Sequence, residues 1–315
     1  AALRRQLPPS PESQGMVLLP VENPPPVQVL LPGFEVREIP IELTNVNNVL
    51  YRPDGTLMAL GYNGVIWRLR DTDGDGLEDS AEVFWDSAGA LRSPIGMDLT
   101  PPGYQHGEGV FVAAKTRCVL IVDTDQDGRA DKEIVIAGGW RESFHSVDGL
   151  GVAFDRRDGS VYFGRGTYNF ADPFLLDQQG RSHYSLADEA GAIIRVSPDF
   201  KTRQVVATGI RFPVGLRFNR QGDLFATDQE GATWVPNGNP FDELLHIQPG
   251  RHYGFPPRHP RHLPQVIDEP STFDYGPQHQ STCGLAFNEP VRPDGPVFGP
   301  AAWRGDAIVT GESRG

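Results

Sequence analysis

Cysteine is nearly missing from this chain. Cys118 and Cys283 are the only two, far apart and outside any CxxC or CxxCH spacing. That excludes a thiolate zinc centre and covalently attached haem within these residues, and it favours two buried free thiols over a long-range disulfide. No apolar run approaches the roughly 18 residues that cross a bilayer as a helix, and no leader-like stretch is read at the start. Basic residues are in deficit, with 28 Lys and Arg against 41 Asp and Glu and a formal charge of −13. Without a basic stripe to neutralise phosphates, a nucleic-acid partner is excluded. Few segments run ten residues without a Gly, a Pro or a β-branched cluster, so long helices are excluded as well.

What is present is punctuation. The 36 Gly and 29 Pro are spread along all 315 residues, as many short strands joined by many turns require. The first 32 residues are Pro-rich and aperiodic, and read as an extended N-terminal arm before a domain spanning 33–315. In that domain one unit recurs. NNVLYRPDGTLMALGYNGVIWRLRDTDGDGLED, from Asn47 to Asp79, has strands separated by Pro53-Asp54-Gly55 and Asn63-Gly64, the composition of tight hairpin turns. Copies begin at Ile95-Gly96-Met97, Leu150-Gly151-Val152, Val214-Gly215-Leu216 and Cys283-Gly284-Leu285, at spacings of 47, 55, 64 and 69 residues. A four-stranded blade needs roughly 40 to 50 residues, so the later units carry insertions. The expected fold is all-β, a β-propeller. Four full units and part of a fifth leave the ring short, with the last blade expected to be truncated. Gly33–Ile39 is a candidate strand to complete it.

Two acidic loops stand out. DTDGDGLEDSAE places Asp71, Asp73, Asp75, Asp79 and Glu82 at loop positions 1, 3, 5, 9 and 12, with Gly76 at the sharp turn and the Leu77 carbonyl between. DTDQDGRAD repeats the spacing with Asp123, Asp125, Asp127, the Arg129 carbonyl and Asp131, starting 52 residues later. Calcium takes six to eight hard oxygen ligands, which alternate carboxylates around such a turn supply. Three carboxylates within five residues repel one another unless a cation neutralises them, so calcium is the expected cofactor, in a structural role. Each loop follows a strand, so these resemble dockerin-, thrombospondin- and integrin-type aspartate loops rather than helix-flanked EF-hands.

At the fourth unit a family resemblance emerges. GIRFPVGLRF (209–218), LFATDQEG (224–231) and DELLHIQPGRHYGFP (242–256) resemble elements of the soluble glucose and sorbosone dehydrogenases that use pyrroloquinoline quinone. The chain is also similar to large propeller proteins of planctomycete-type bacteria, often joined to a cytochrome module. The resemblance implies a six-bladed propeller, a periplasmic or secreted location, and a cytochrome or other protein subunit as a partner. It further implies oxidation of a sugar or alcohol hydroxyl, with His145 as the general base and Arg211 beside the cofactor's negative charge. Asp228 is the third residue expected to converge on that site. A His suits such proton abstraction because its ordinary pKa lies near neutrality. In this chain Ser146-Val147-Asp148 follows the His, and His252 stands where the family carries Asn.

Two other functions fit the same fold, since propellers host many. One is a non-catalytic module that binds a glycan or a protein through Trp140, Tyr168, Trp234 or Tyr253. The other is a scaffold within a larger assembly. The histidine-rich stretch 252–264, with His246 and His279 nearby, has no spacing that selects a metal, and a solvated loop is expected there.

Overall fold

The computed structural model describes residue 29 and residues 31–169, 176–183, 185–230, 241–255, 267–276, 280–292 and 294–311. The chain divides into two compact units, 1–38 and 39–315. Within the first, residues 31–38 run without strand or helix. Gly33–Ile39, the candidate closing strand, therefore joins no ladder. Pro40 follows it and has no N–H to donate, so a ladder could not continue through that point. In the second unit, Ile39, Ile41 and Leu43 instead pack against Leu57, Ala59 and Leu69.

That unit is a propeller of antiparallel sheets. Blade 1 comprises β1 (Val46–Tyr51), β2 (Leu57–Gly61), β3 (Val65–Arg70) and β4 (Ser80–Asp86). Blade 2 comprises β5 (Gly96–Leu99), β6 (Glu108–Ala114), β7 (Arg117–Asp123) and β8 (Lys132–Gly138). Blade 3 is β9 (Gly149–Phe154), β10 (Val161–Arg165), β11 (Ala192–Val196) and β12 (Arg203–Thr208). Blade 4 is β13 (Pro213–Phe218), β14 (Leu224–Asp228), β15 (Asp242–His246) and β16 (Phe273–Tyr275), and a fifth sheet pairs β17 (Thr282–Phe287) with β18 (Ala307–Gly311). Among the described residues, two short 3-10 turns, Leu186–Asp188 and Ala301–Trp303, interrupt the strands.

The hairpins close where the turn residues require. Gly55 and Gly64 sit at φ 93° and 81°, a region costly for any residue with a Cβ. Asp54 and Asn63 side chains accept the N–H groups of Thr56 and Val65 two residues on, at 2.9 and 3.2 Å. The same device recurs in blade 3, where Asp158 accepts Ser160 N–H at 2.8 Å.

The core lies between blades rather than under one sheet. Met58, Leu60 and Ile66 of blade 1 meet Met97, Val110 and Val112 of blade 2. Phe111 and Leu120 of blade 2 meet Val152, Phe163 and Ile194 of blade 3. Each such side chain contributes about 1.5–3 kcal/mol on burial. Because blade 2 is covered on both faces, β6 and β7 are buried almost throughout. They accordingly read as continuous apolar runs, GVFVAA and CVLIV, without alternation.

The recurring glycine of the innermost strands sets the blade spacing. A Cβ on Gly151 would lie 2.7 Å from Leu216 Cβ and 2.8 Å from the Val214 carbonyl of the next blade. One on Gly215 would lie 2.6 Å from the Cys283 carbonyl. Blade 1 has Asn48 in this place, and its amide donates to the Ile95 carbonyl of blade 2. The innermost strands thus line a channel, with one mouth where they begin, here the upper mouth, and one where they end.

The insertion after β15 is structural where it is described. Thr208 N–H donates to the Arg251 carbonyl at 3.0 Å and Tyr253 N–H to the Thr208 carbonyl at 2.9 Å. Residues 250–255 thereby run beside β12 and fasten blade 4 to blade 3. His252 is buried, its Nδ1 accepting the Gly254 N–H at 3.1 Å, and His246 stacks on Phe225 with centroids 4.8 Å apart. His259, His262 and His279 lie outside the described residues.

Candidate functional site

At the upper mouth, the segment between β8 and β9 carries His145. Its shape is set by Asp148, a fully buried carboxylate. Asp148 accepts the Thr116 N–H at 2.7 Å, the Ser143 N–H at 3.2 Å and the Trp140 indole N–H at 3.3 Å. The Ser143 hydroxyl donates to the Val147 carbonyl at 2.9 Å and accepts the His145 N–H at 3.3 Å. From blade 2, the Lys115 ammonium donates to the His145 carbonyl. The His145 main chain is thus held by its own loop and by Lys115, with the imidazole half-buried.

Burial pushes the His145 pKa down to about 4, and the charges of Arg211 and Lys115 push the same way. At neutral pH the ring is therefore the free base, able to accept a proton.

Arg211 precedes β13 and is buried, which lowers its pKa against the pull of Asp228 and Glu230. Its backbone N–H and that of Phe212 donate to the two carboxylate oxygens of Asp228, at 2.8 and 2.6 Å. Its guanidinium donates to the Gln229 carbonyl. Asp228 is itself fully buried, and desolvation raises its pKa to about 6 despite the two amides and the Arg211 charge. The structure thus couples His145 to Arg211 electrostatically, while Asp228 grips the backbone beneath Arg211. Glu230 and Glu243 place carboxylate oxygens within 4.8 Å of one another and of Asp228.

The exposed rim is cationic. Lys115 and Arg92 share one carboxylate, Glu142, at 3.0 and 3.2 Å. Arg141 lies 3.7 Å over the ring of Tyr168, which meets Phe144 edge-on at 4.7 Å. Of the aromatic residues considered for a binding surface, Tyr168 alone stands at this rim among the described residues. Trp140 is buried against Phe163, with centroids 5.5 Å apart, and under Arg165. Tyr253 is buried too, its hydroxyl accepting the Gln248 N–H at 2.7 Å. Trp234 lies outside the described residues.

Lys115 and Asp148 were not legible as site residues. A positional signal exists for Lys115. Tyr62, Lys115, Gly166 and Gln229 each follow the second strand of a blade and donate to a residue before its first strand. The family-like motif LFATDQEG marks that place in blade 4 alone. Cys118 is buried and Cys283 half-buried, and both are free thiols. Cys283 was expected to be buried.

The aspartate loops form a second candidate site, at the outer ends of blades 1 and 2. The Asp71, Asp73 and Asp75 carboxylates lie within 4.8 Å of one another, as do those of Asp123, Asp125 and Asp127. Asp71 accepts N–H groups from Gly74 at 2.7 Å and Gly76 at 2.9 Å, and Asp123 does the same for Gln126 and Gly128 at 2.7 and 2.8 Å. Asp75 and Asp127 accept from Leu77 and Arg129, both at 2.8 Å. Asp79 and Asp131 each accept from the Thr of their loop, Thr72 and Thr124. Gly76 at φ 87° makes the turn. The two loops are therefore built alike. Glu82 differs from the rest of its set, because it pairs with Arg68 at 2.8 Å across the β3–β4 hairpin. Ala130 N–H donates to the Phe84 carbonyl at 2.8 Å, which ties the second loop to blade 1.

Residues 48–273 match the family model described as a domain of unknown function, DUF7133. No curated protein matches the sequence. Among solved structures, the chain is similar to the form of an aldose sugar dehydrogenase from Streptomyces coelicolor with pyrroloquinoline quinone bound. The TM-score is 0.60 at 19% identity, over 80% of this chain and 74% of that one. It is similar to a putative oxidoreductase (glucose dehydrogenase) from Thermus thermophilus, at TM-score 0.58 and 22% identity, over 84% and 75%. The apo form of the soluble aldose sugar dehydrogenase from Escherichia coli gives 0.57 and 14% over 85% and 80%. At these identities the likeness shows the β-propeller fold. No helix among the described residues is long and apolar enough to cross a membrane.

Proposed function

The chain belongs to the DUF7133 family, and within it we propose a calcium-braced propeller that binds pyrroloquinoline quinone at the upper mouth and oxidises a sugar or alcohol hydroxyl. The observation that carries this reading is His145, kept neutral by burial first and by the charges of Arg211 and Lys115 second. A neutral imidazole can take the hydroxyl proton, and the two cations favour the negative charge that develops on the oxygen losing it. The quinone, when bound, supplies the two-electron acceptor for the hydride. Its three carboxylates fit a rim where Lys115 and Arg92 share one acid and Arg141 spreads over Tyr168. Arg211 anchors that charge, and Asp228 positions Arg211 through its backbone.

Calcium in the Asp71 and Asp123 loops serves the fold in this reading. Asp71, Asp73, Asp75, the Leu77 carbonyl and Asp79 hold the first ion. Asp123, Asp125, Asp127, the Arg129 carbonyl and Asp131 hold the second. Exposed sites of this kind suit a compartment rich in calcium, periplasmic or extracellular, with a cytochrome or similar subunit receiving the electrons.

A non-catalytic glycan-binding propeller is favoured by one observation, the exposed Phe144 ring set against Tyr168. One titration separates the two. Chelator-treated protein is mixed with the quinone and calcium while quinone absorbance and thermal stability are followed. Saturable binding that disappears in His145→Ala and Arg211→Ala supports the enzyme. Stabilisation by calcium with no quinone binding removes the catalytic roles.

A further inference from the structure

The lower mouth of the channel, where the innermost strands end, opens into a cavity of about 790 Å³, a size that holds a small organic molecule. Its floor is apolar. Leu50, Leu99, Phe154, Phe218 and Phe287, one from each of the five sheets, line it. Five arginines line it as well: Arg156, Arg157, Arg217, Arg220 and Arg304.

The acids in the cavity do not balance these cations. Asp155 is taken by Arg157 in a two-pronged pair at 2.9 and 2.8 Å. Glu289 faces Arg304 at 3.8 Å. Asp98 accepts two backbone N–H groups, from Leu99 at 2.8 Å and from Phe154 at 2.7 Å. Arg217 crosses the channel and donates to three carbonyls, those of Val152 at 2.8 Å, Leu216 at 2.9 Å and Met97 at 3.1 Å. Those bonds fix the guanidinium, and among the described residues no carboxylate pairs with it. Arg156 and Arg220 stand on the first hairpin turns of blades 3 and 4, exposed, and no described residue pairs with either. In a chain of net charge −13, the lower mouth sets five guanidinium groups against the three carboxylates of Asp98, Asp155 and Glu289 over an apolar floor. Low-dielectric walls concentrate such a field on whatever anion enters.

We infer that the lower mouth is a second binding site, separate from the upper one, for a small organic carboxylate with an apolar ring or chain. Guanidinium groups grip a carboxylate through paired N–H donors, which Arg156 and Arg220 are placed to do. The apolar body lies on the phenylalanine floor, and the fixed Arg217 supplies field from beneath.

The test uses the full chain with benzoate, benzyl alcohol and inorganic phosphate as probes, read by calorimetry and by thermal shift. Benzoate is expected to bind at least about tenfold more tightly than benzyl alcohol, the margin of one charge-assisted contact. The double variant Arg156→Ala, Arg220→Ala changes only exposed turns. It is expected to fold with an unaltered melting temperature and to lose benzoate binding by about tenfold or more. His145→Ala, at the other mouth, is expected to bind benzoate as wild type does. Equal binding of benzoate and benzyl alcohol would overturn the assignment. Phosphate binding as tight as benzoate would do the same, because the apolar floor would then have no part. Benzoate affinity that survives the double variant but falls in His145→Ala would move the site to the upper mouth and overturn it.

Discussion

Lys115, directly after the second strand of blade 2, donates to the main-chain carbonyl of His145. It also pairs with Glu142 at 3.0 Å. One side chain therefore fixes the His145 loop and sets a positive charge beside the imidazole.

Replacing Lys115 with Met should raise the His145 pKa, but only part of the way from about 4 towards 6.5, because burial is the larger cause and the charges come after it. Histidine proton resonances followed against pH would measure this. The sign for stability follows. A base whose folded pKa is depressed binds fewer protons folded than unfolded, so its contribution is present above the unfolded value and lost as pH falls through the folded one. Wild type should therefore lose urea resistance between about pH 6.5 and about pH 4 more steeply than His145→Asn. Parallel curves would mean that His145 titrates normally.

Much of this fold was legible in advance. The Gly-containing unit recurs because the innermost strands approach backbone to backbone at Gly151 and Gly215, so a close-packing demand is written as a residue type. The turn residues Asp54, Asn63 and Asp158 were legible for the same reason. Gly33–Ile39 misled because its composition suits a strand, while Pro40 and the side chains that cover Leu57 and Leu69 decide otherwise. At the upper mouth, Arg211 was proposed from the family-like motif GIRFPVGLRF and His145 from its position before the third blade. Lys115 and Asp148 were not, since their roles depend on which loops the blades bring together. Glu82 follows the loop spacing, but its strand turns it towards Arg68.

The aspartate loops should bind two calcium ions per chain, and Asp73→Ala or Asp125→Ala should each remove one. Calorimetric stoichiometry checks this directly. At calcium 100-fold above the dissociation constant, each site should add about 2.7 kcal/mol of stability. Removal by chelator should lower the melting temperature of wild type and leave the double variant unmoved. A wild-type protein indifferent to chelator would return the loops to simple acidic turns.

Gly151→Val tests the spacing of the ring. Its Cβ would meet the Val214 carbonyl and Leu216 Cβ at 2.8 and 2.7 Å, and neither the backbone nor a residue 1% exposed can withdraw freely. The expected cost is about 1–3 kcal/mol or more, read as a lower urea midpoint. Gly74→Ala instead strains a positive φ of 82° and meets nothing within 4 Å. It should cost less, because only the backbone conformation is opposed. Equal losses would show that blade contact does not set the spacing.

Asp228→Asn separates the two things this buried side chain does. The carboxylate accepts one backbone N–H on each oxygen, from Arg211 and Phe212. An amide offers one oxygen, and its NH2 group faces the other N–H, leaving a buried donor unpaired at a cost of about 1–3 kcal/mol. The acid form adds a pH dependence. Burial raises the folded pKa to about 6, so the native state binds this proton more tightly than the unfolded chain does. Its contribution therefore grows as pH falls from about 6 towards the ordinary carboxylate value of about 3.9. The stability gap between wild type and variant should be wider at about pH 5 than at about pH 7, by chemical denaturation at both. A gap of the same size at both would mean that Asp228 stays ionised throughout. The Arg211 charge would then outweigh burial, and Asp228 would act on Arg211 as a permanent counter-ion as well as a backbone clasp.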